Sequence, residues 1–152
     1  MRAQREVDDA FAKQEISGPM PTYAECCKLP FVDACIREAL RVTSTASPRW
    51  RSSLDRPLTL LGKYVPPGTA VSTSPFSIST HKRLYGDDAG TYVPERWLEA
   101  SEEQLRQWNA YDAHWGFGFR KCPGRHVGVL ILYKSLVHVS LSTSSSPDVN
   151  AN

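Results

Sequence analysis

Trp115-Gly116-Phe117-Gly118-Phe119-Arg120-Lys121-Cys122-Pro123-Gly124-Arg125 sets one cysteine in a loop punctuated by three glycines, with an arginine two residues before it. A chain can aim several backbone N–H groups at one sulfur only where it turns sharply. Glycine permits such turns because it tolerates positive φ. A thiolate held this way would have its charge stabilised. Two plainer readings compete. A lone cysteine in a glycine-rich turn is commonly a small buried hydrophobe. Cys122 and His126 also have the C-x-x-x-H spacing of half a zinc site, but Cys26, Cys27 and Cys35 supply no C-x-x-C partner for it.

Downstream of the loop, Val127-Gly128-Val129-Leu130-Ile131-Leu132-Tyr133 is apolar on nearly every face. A helix of that composition is expected to be buried. The polar run Ser142-Thr143-Ser144-Ser145-Ser146-Pro147 then predicts a disordered tail, with the domain over residues 1–140 and the tail over 141–152. Upstream, Leu29-Pro30-Phe31-Val32-Asp33-Ala34-Cys35-Ile36-Arg37-Glu38-Ala39-Leu40-Arg41 carries apolar residues at helical spacing, which predicts an amphipathic helix. Glu38 and Arg41 lie three apart on one face of it; taken alone, they read as an ordinary exposed ion pair. Thr22-Tyr23-Ala24-Glu25 and Ser101-Glu102-Glu103-Gln104 fit the capping box that opens a helix. The loop Ser17-Gly18-Pro19-Met20-Pro21 separates an opening helix from the next. Leu58-Thr59-Leu60-Leu61 and Ala70-Val71-Ser72 are short β-prone runs around the turn signals Gly62-Lys63 and Pro66-Pro67-Gly68-Thr69. The sum is a mainly α chain with a small β region, an α+β class.

Composition sets outer bounds. At 152 residues, 41% hydrophobic and 22% charged, the chain suits one globular domain. A net charge of +2 gives no argument for a nucleic-acid or membrane-surface partner. No stretch approaches the roughly 18–20 apolar residues of a membrane span, and the charged start Met1-Arg2-Ala3-Gln4-Arg5 has no signal-peptide core. Neighbouring Cys26 and Cys27 look unlike a disulfide framework, which favours a reducing compartment. No internal repeat is present.

The cysteine loop resembles the heme-binding loop of the cytochrome P-450 monooxygenases, F-x-x-G-x-R-x-C-x-G. Gly118, Arg120, Cys122 and Gly124 match, and Trp115 stands at the aromatic position usually held by Phe. A chance match in a chain of this length is roughly one in a few thousand. Glu38 and Arg41 match the family's E-x-x-R signature, and Tyr92-Val93-Pro94-Glu95-Arg96-Trp97 resembles its P-E-R-F/W segment, in the family's order. The resemblance implies a heme b held by the thiolate of Cys122. Trp115, Gly118 and Gly124 would shape the loop, and Arg120 would pair with a propionate carboxylate. Arg51 (runner-up Arg49) would make a second propionate contact, with a solvated basic loop as the plain alternative. It further implies a buried cluster of Glu38, Arg41 and Arg96 that supports the loop. His81 falls where relatives often carry a histidine, and a packing role is expected. Ile131 stands where many carry a glutamate.

By resemblance the function is that of a heme-thiolate monooxygenase, which inserts one oxygen atom of O₂ into a small organic substrate with electrons from an NADPH-dependent reductase. K-Y-V-P-P-G-T and P-E-R-W-L wording points to fungal enzymes of specialised metabolism. The resemblance covers the C-terminal, heme-proximal third of a typical member, so the fold is expected to be an incomplete part of the family's. No A-G-x-D/E-T oxygen-helix motif occurs. The alternatives are a truncated, inactive remnant or a small heme sensor. No anchor is expected in this chain, whereas full-length relatives usually sit at the endoplasmic-reticulum membrane. Substrate identity and oligomeric state are not legible.

Overall fold

The structure, a computed structural model, describes residues 2–18, 20–43, 49–52, 56–118 and 121–144, with only the backbone described for 49–52 and 144. Helices dominate. α1 (Arg2–Ala12), the single turn α2 (Tyr23–Cys26) and α3 (Pro30–Val42) come first. Four short strands follow: β1 (Arg49–Ser52), β2 (Leu58–Leu60), β3 (Lys63–Val65) and β4 (Ala70–Thr73). The chain then returns to helix in α4 (Pro75–Ser79), α5 (Lys82–Tyr85), α6 (Glu95–Glu99), α7 (Glu102–Tyr111) and α8 (Arg125–Ser144).

The helix starts follow local chemistry. Thr22 and Ser101 both close complete capping boxes, the first with Glu25 and the second with Gln104, where the sequence predicts them. α3 has no side-chain cap of its own at Leu29, and Pro30 fills its first turn. Its free N–H groups are met from another helix instead. Glu6 of α1 accepts from Phe31 N–H at 2.9 Å and Val32 N–H at 2.8 Å, which fixes α1 against the start of α3.

The β region is two separate antiparallel pairs, β1 with β4 and β2 with β3. The β2–β3 hairpin turns through Leu61 (φ 49°) and Gly62 (φ 76°), both left-handed, as the tightest two-residue hairpin loops require. Leu58–Leu60 and residues 70–72 are strand as expected, but Leu61 belongs with Gly62 to the turn, and Lys63, read as a turn residue, opens β3, a strand the sequence reading did not name.

Two apolar clusters hold the chain. In the first, Val7 and Ala10 of α1, Val32 and Ile36 of α3, and Tyr133, Val137 and Leu141 of α8 pack with Ile16, Cys26 and Leu29. Each buried Val or Leu contributes ~1.5–3 kcal/mol relative to exposure. In the second, Tyr85, Ala89 and Trp108 pack with Leu84, Trp97, Ala100 and Leu105. Trp108 stacks on Tyr85 with centroids 5.2 Å apart and meets Trp97 edge-on at 5.1 Å. α3 borders both clusters: Val32 and Ile36 serve the first, and Glu38 and Arg41, on another face, reach toward the second.

Three expectations need correction. The apolar helix is not buried all round. Tyr133, Val137 and Leu141 form the inward stripe, while Val127 is 63% and Ile131 53% exposed, with Leu130 and Val139 beside them. α8 packs on α1, α2 and α3, and these cover only one side of it. Second, α8 runs on through Ser144, and buried Leu141 belongs to the core, so the first four residues assigned to a tail are helical; residues 145–152 lie outside the described residues. Third, His81 does not pack. It is exposed and caps α5, its Nδ1 accepting from Arg83 N–H at 3.2 Å. Among the described residues, no helix is long and apolar enough to cross a membrane.

Candidate functional site

The strongest polar construction is centred on Glu38, whose side chain is fully buried. Its carboxylate accepts five hydrogen bonds. Arg41 donates two, Nε to Oε2 at 2.8 Å and Nη2 to Oε1 at 2.7 Å. Arg96 Nε gives one at 3.0 Å, Val93 N–H one at 2.9 Å and Trp97 Nε1 one at 2.9 Å. Burial works against the negative charge, but these donors and the Arg41 charge outweigh it, so the carboxyl is held below its ordinary value.

The arginines are satisfied in turn. Arg41 spends its remaining donors on the carbonyls of Ser79 (2.6 Å), Ala89 (2.5 Å) and Thr91 (3.0 Å), and its guanidinium lies 4.7 Å over the Tyr85 ring. Arg96 donates to the Tyr85 carbonyl at 2.9 Å and forks onto the Asp88 carboxylate at 2.9 and 3.2 Å. That fork holds Asp88 below its usual range. Burial opposes the Arg96 charge, and Asp88 and Glu38 together more than restore it. The expected triad of Glu38, Arg41 and Arg96 is therefore present. Sequence reasoning missed Trp97 and Val93 as donors and Asp88 as the second carboxylate. Trp97 stood inside the quoted P-E-R-W segment, and that adjacency was its one available signal.

The cysteine loop leads directly into α8. Gly116 (φ 81°) and Gly118 (φ 59°) are both in the left-handed region, where a side chain would be strained. The loop is tied across its base: Cys122 N–H donates to the Trp115 carbonyl at 2.8 Å, and Lys121 N–H to the Gly118 carbonyl at 3.1 Å. Cys122 itself is exposed, not a buried hydrophobe. Gly124 is open, and a Cβ built there meets only the Cys122 Sγ, at 3.8 Å. Trp115 is half-buried; its ring meets His114 edge-on at 5.0 Å and lies over Gly128 of α8. The loop thus gathers four of the residues expected to bind a cofactor. Arg120 lies outside the described residues, and Arg51 is on strand β1 with its side chain not described. Among the described residues, no three His, Cys, Asp or Glu side chains stand together as a metal site, which gives the zinc reading no support.

Behind the loop is a cavity of about 170 Å³, bounded by Leu40, Arg41, Trp97, Trp108, Trp115 and Val129 among others. Ligand pockets for drug-sized molecules run to ~300 Å³ and more. Cys122 does not line this cavity. The ion cluster and the loop therefore border one small, partly open cavity, and the thiol is exposed outside it.

Residues 1–139 match the cytochrome P-450 family model. The chain belongs to the cytochrome P-450 family. It is 49% identical over 105 residues to the cytochrome P-450 monooxygenase ustC of Aspergillus flavus, a match covering 68% of this chain and 26% of the relative. It is 35% identical over 135 residues to the monooxygenase mfmA of Annulohypoxylon moriforme, covering 88% and 26%. With the monooxygenase esdpH of Penicillium shearii it shares 34% over 131 residues, covering 86% and 26%. The chain thus spans about a quarter of the length of these curated relatives. The mainly helical architecture with a small β part is consistent with a portion of a P-450 domain.

Proposed function

We propose that this chain supplies the thiolate-ligand side of a cytochrome P-450 monooxygenase acting on a small organic molecule, of the kind made in fungal specialised metabolism. The observation that carries this reading is an exposed cysteine on a glycine-turned loop that feeds an apolar, exposed helix. A heme is a broad apolar disc with one metal at its centre. The donor set fits it: one soft ligand at Cys122, a bare Gly124 next to it, and uncovered apolar side chains at Phe117, Val127, Leu130 and Ile131.

In this reading Cys122 is the metal ligand and must be deprotonated to serve. The left-handed turns at Gly116 and Gly118 would let the loop bend beneath it. Trp115 anchors the loop on α8. Arg120 would pair with one propionate carboxylate and Arg51 with the other, both through the planar guanidinium fork. The chemistry that a bound heme of this class supplies is cleavage of the O–O bond, favoured by electron density from the thiolate. Electrons would come from an NADPH-dependent reductase. The Glu38 cluster is support and touches no reactant.

Cys122→Ser in the heme-loaded protein is expected to abolish the red-shifted Soret band of the reduced carbon monoxide complex. Cys26→Ser, Cys27→Ser and Cys35→Ser are expected to retain it. A thiolate-type band in Cys122→Ser would overturn the assignment.

A further inference from the structure

The backbone of Gly128 is occupied from outside. A Cβ built on it would stand 2.8 Å from Trp115 Cη2 and 3.2 Å from Cζ3. Carbon atoms not bonded to each other pack at about 3.5–4.0 Å, so no side chain fits while the indole is in place. Both touching atoms belong to the outer ring of the indole, which phenylalanine lacks. Glycine inside a helix is otherwise a loss relative to alanine, and Gly128 sits in the first turn of α8, its N–H bonded to the Gly124 carbonyl at 2.8 Å. Its presence there calls for a gain elsewhere.

We propose that Gly128 is a positioning residue for the cysteine loop, a bare seat on α8 matched in size to Trp115. The link to the cysteine is direct. The residue whose ring fills the seat is the one whose carbonyl accepts the Cys122 N–H. Seating the indole therefore sets where the base of the loop stands over α8, and with it Cys122. His114, edge-on to the indole, borders the ring as well. The size match itself rests on packing alone; its purpose, holding a thiolate ligand in register, rests on the heme reading above.

The test is a cycle of Gly128→Ala, Trp115→Phe and the double variant in the full chain, read in two ways. The first is the thermal unfolding midpoint without hemin. The second is hemin retention and the Soret position of the reduced carbon monoxide complex after hemin is added. Gly128→Ala is expected to lower the midpoint and to weaken hemin retention about tenfold, the scale of an overpacked contact. Adding Trp115→Phe is expected to restore most of both. Should Gly128→Ala fail to fold, folding of the double variant supports the proposal and its failure overturns it. A Gly128→Ala protein as stable as the parent or more so, as helix propensity alone would give, overturns it too, as do additive effects in the cycle. If coupling appears in the midpoints while Cys122→Ser keeps the thiolate-type band, the seat stands and the heme reading falls. The opposite pattern sinks the seat alone.

Discussion

At Glu38 a single buried carboxylate is met by two guanidinium groups, an indole N–H and a backbone N–H. Removing one partner from such a group leaves the others unpaired, typically at a cost of ~3–5 kcal/mol. Arg41→Ala and Arg96→Ala are each expected to lose that much in denaturant unfolding, and the double variant little more than either. Full additivity would show that the three do not act as a unit. Trp97→Phe keeps the ring and deletes the donor, with an expected loss of ~1.5–3 kcal/mol. Much of this was legible. Glu38 and Arg41 are three apart on one helix, and the family's motif order brought in Arg96. Trp97 was not legible as a donor, because a ring that also packs on Trp108 announces itself as apolar; its N–H reaches a carboxylate 59 positions away.

Among the elements, α3 and α8 show what a one-dimensional reading can and cannot carry. The capping boxes at Thr22 and Ser101 were readable because both partners lie within one turn. Ser101→Ala is expected to cost ~1 kcal/mol and to fray α7 in hydrogen exchange. The cap of α3 was invisible, since it comes from Glu6, 25 residues earlier. Glu6→Ala is expected to expose the Phe31 and Val32 amides to faster exchange while the second cluster keeps its protection. Equal loosening of both clusters would mean that Glu6 does more than cap. α8 misled in the other direction. Apolar residues on every face predict burial on every face, but composition cannot say on which flank the neighbours stand. Here they stand on the Tyr133–Val137–Leu141 side. The uncovered side follows the cysteine loop in sequence, which is why it bears on the site.

For the molecule as a whole, the Glu38 cluster is the joint between two cores. α3 packs into the α1–α8 core through Val32 and Ile36, while Glu38 and Arg41 bind the carbonyls and N–H groups of the segment that builds the Tyr85–Trp97–Trp108 core. Protonating Glu38 would loosen both at once. Its carboxyl lies below the ordinary 4.5 in the folded chain, so the unfolded chain takes up the proton first as the pH drops. Its contribution to stability is therefore complete above about 4.5 and is lost as the pH falls through the lower folded value. Asp88, lowered by its bonds to Arg96, and Glu25, lowered to about 2 by its bonds to Thr22 and Ser17, have the same sign. Unfolding midpoints in denaturant are thus expected to be flat from pH 7 to about 5 and to fall below that. Tryptophan fluorescence of the second core and helical circular dichroism should be lost together. Glu38→Gln cannot titrate and removes the buried charge from Arg41, while Arg96 keeps Asp88, so it should start ~3–5 kcal/mol lower at pH 7 and lose less on acidification. If Glu38→Gln kept the full acid slope, Asp88 and Glu25 would carry it, and the Glu38 charge would not be what joins the two cores.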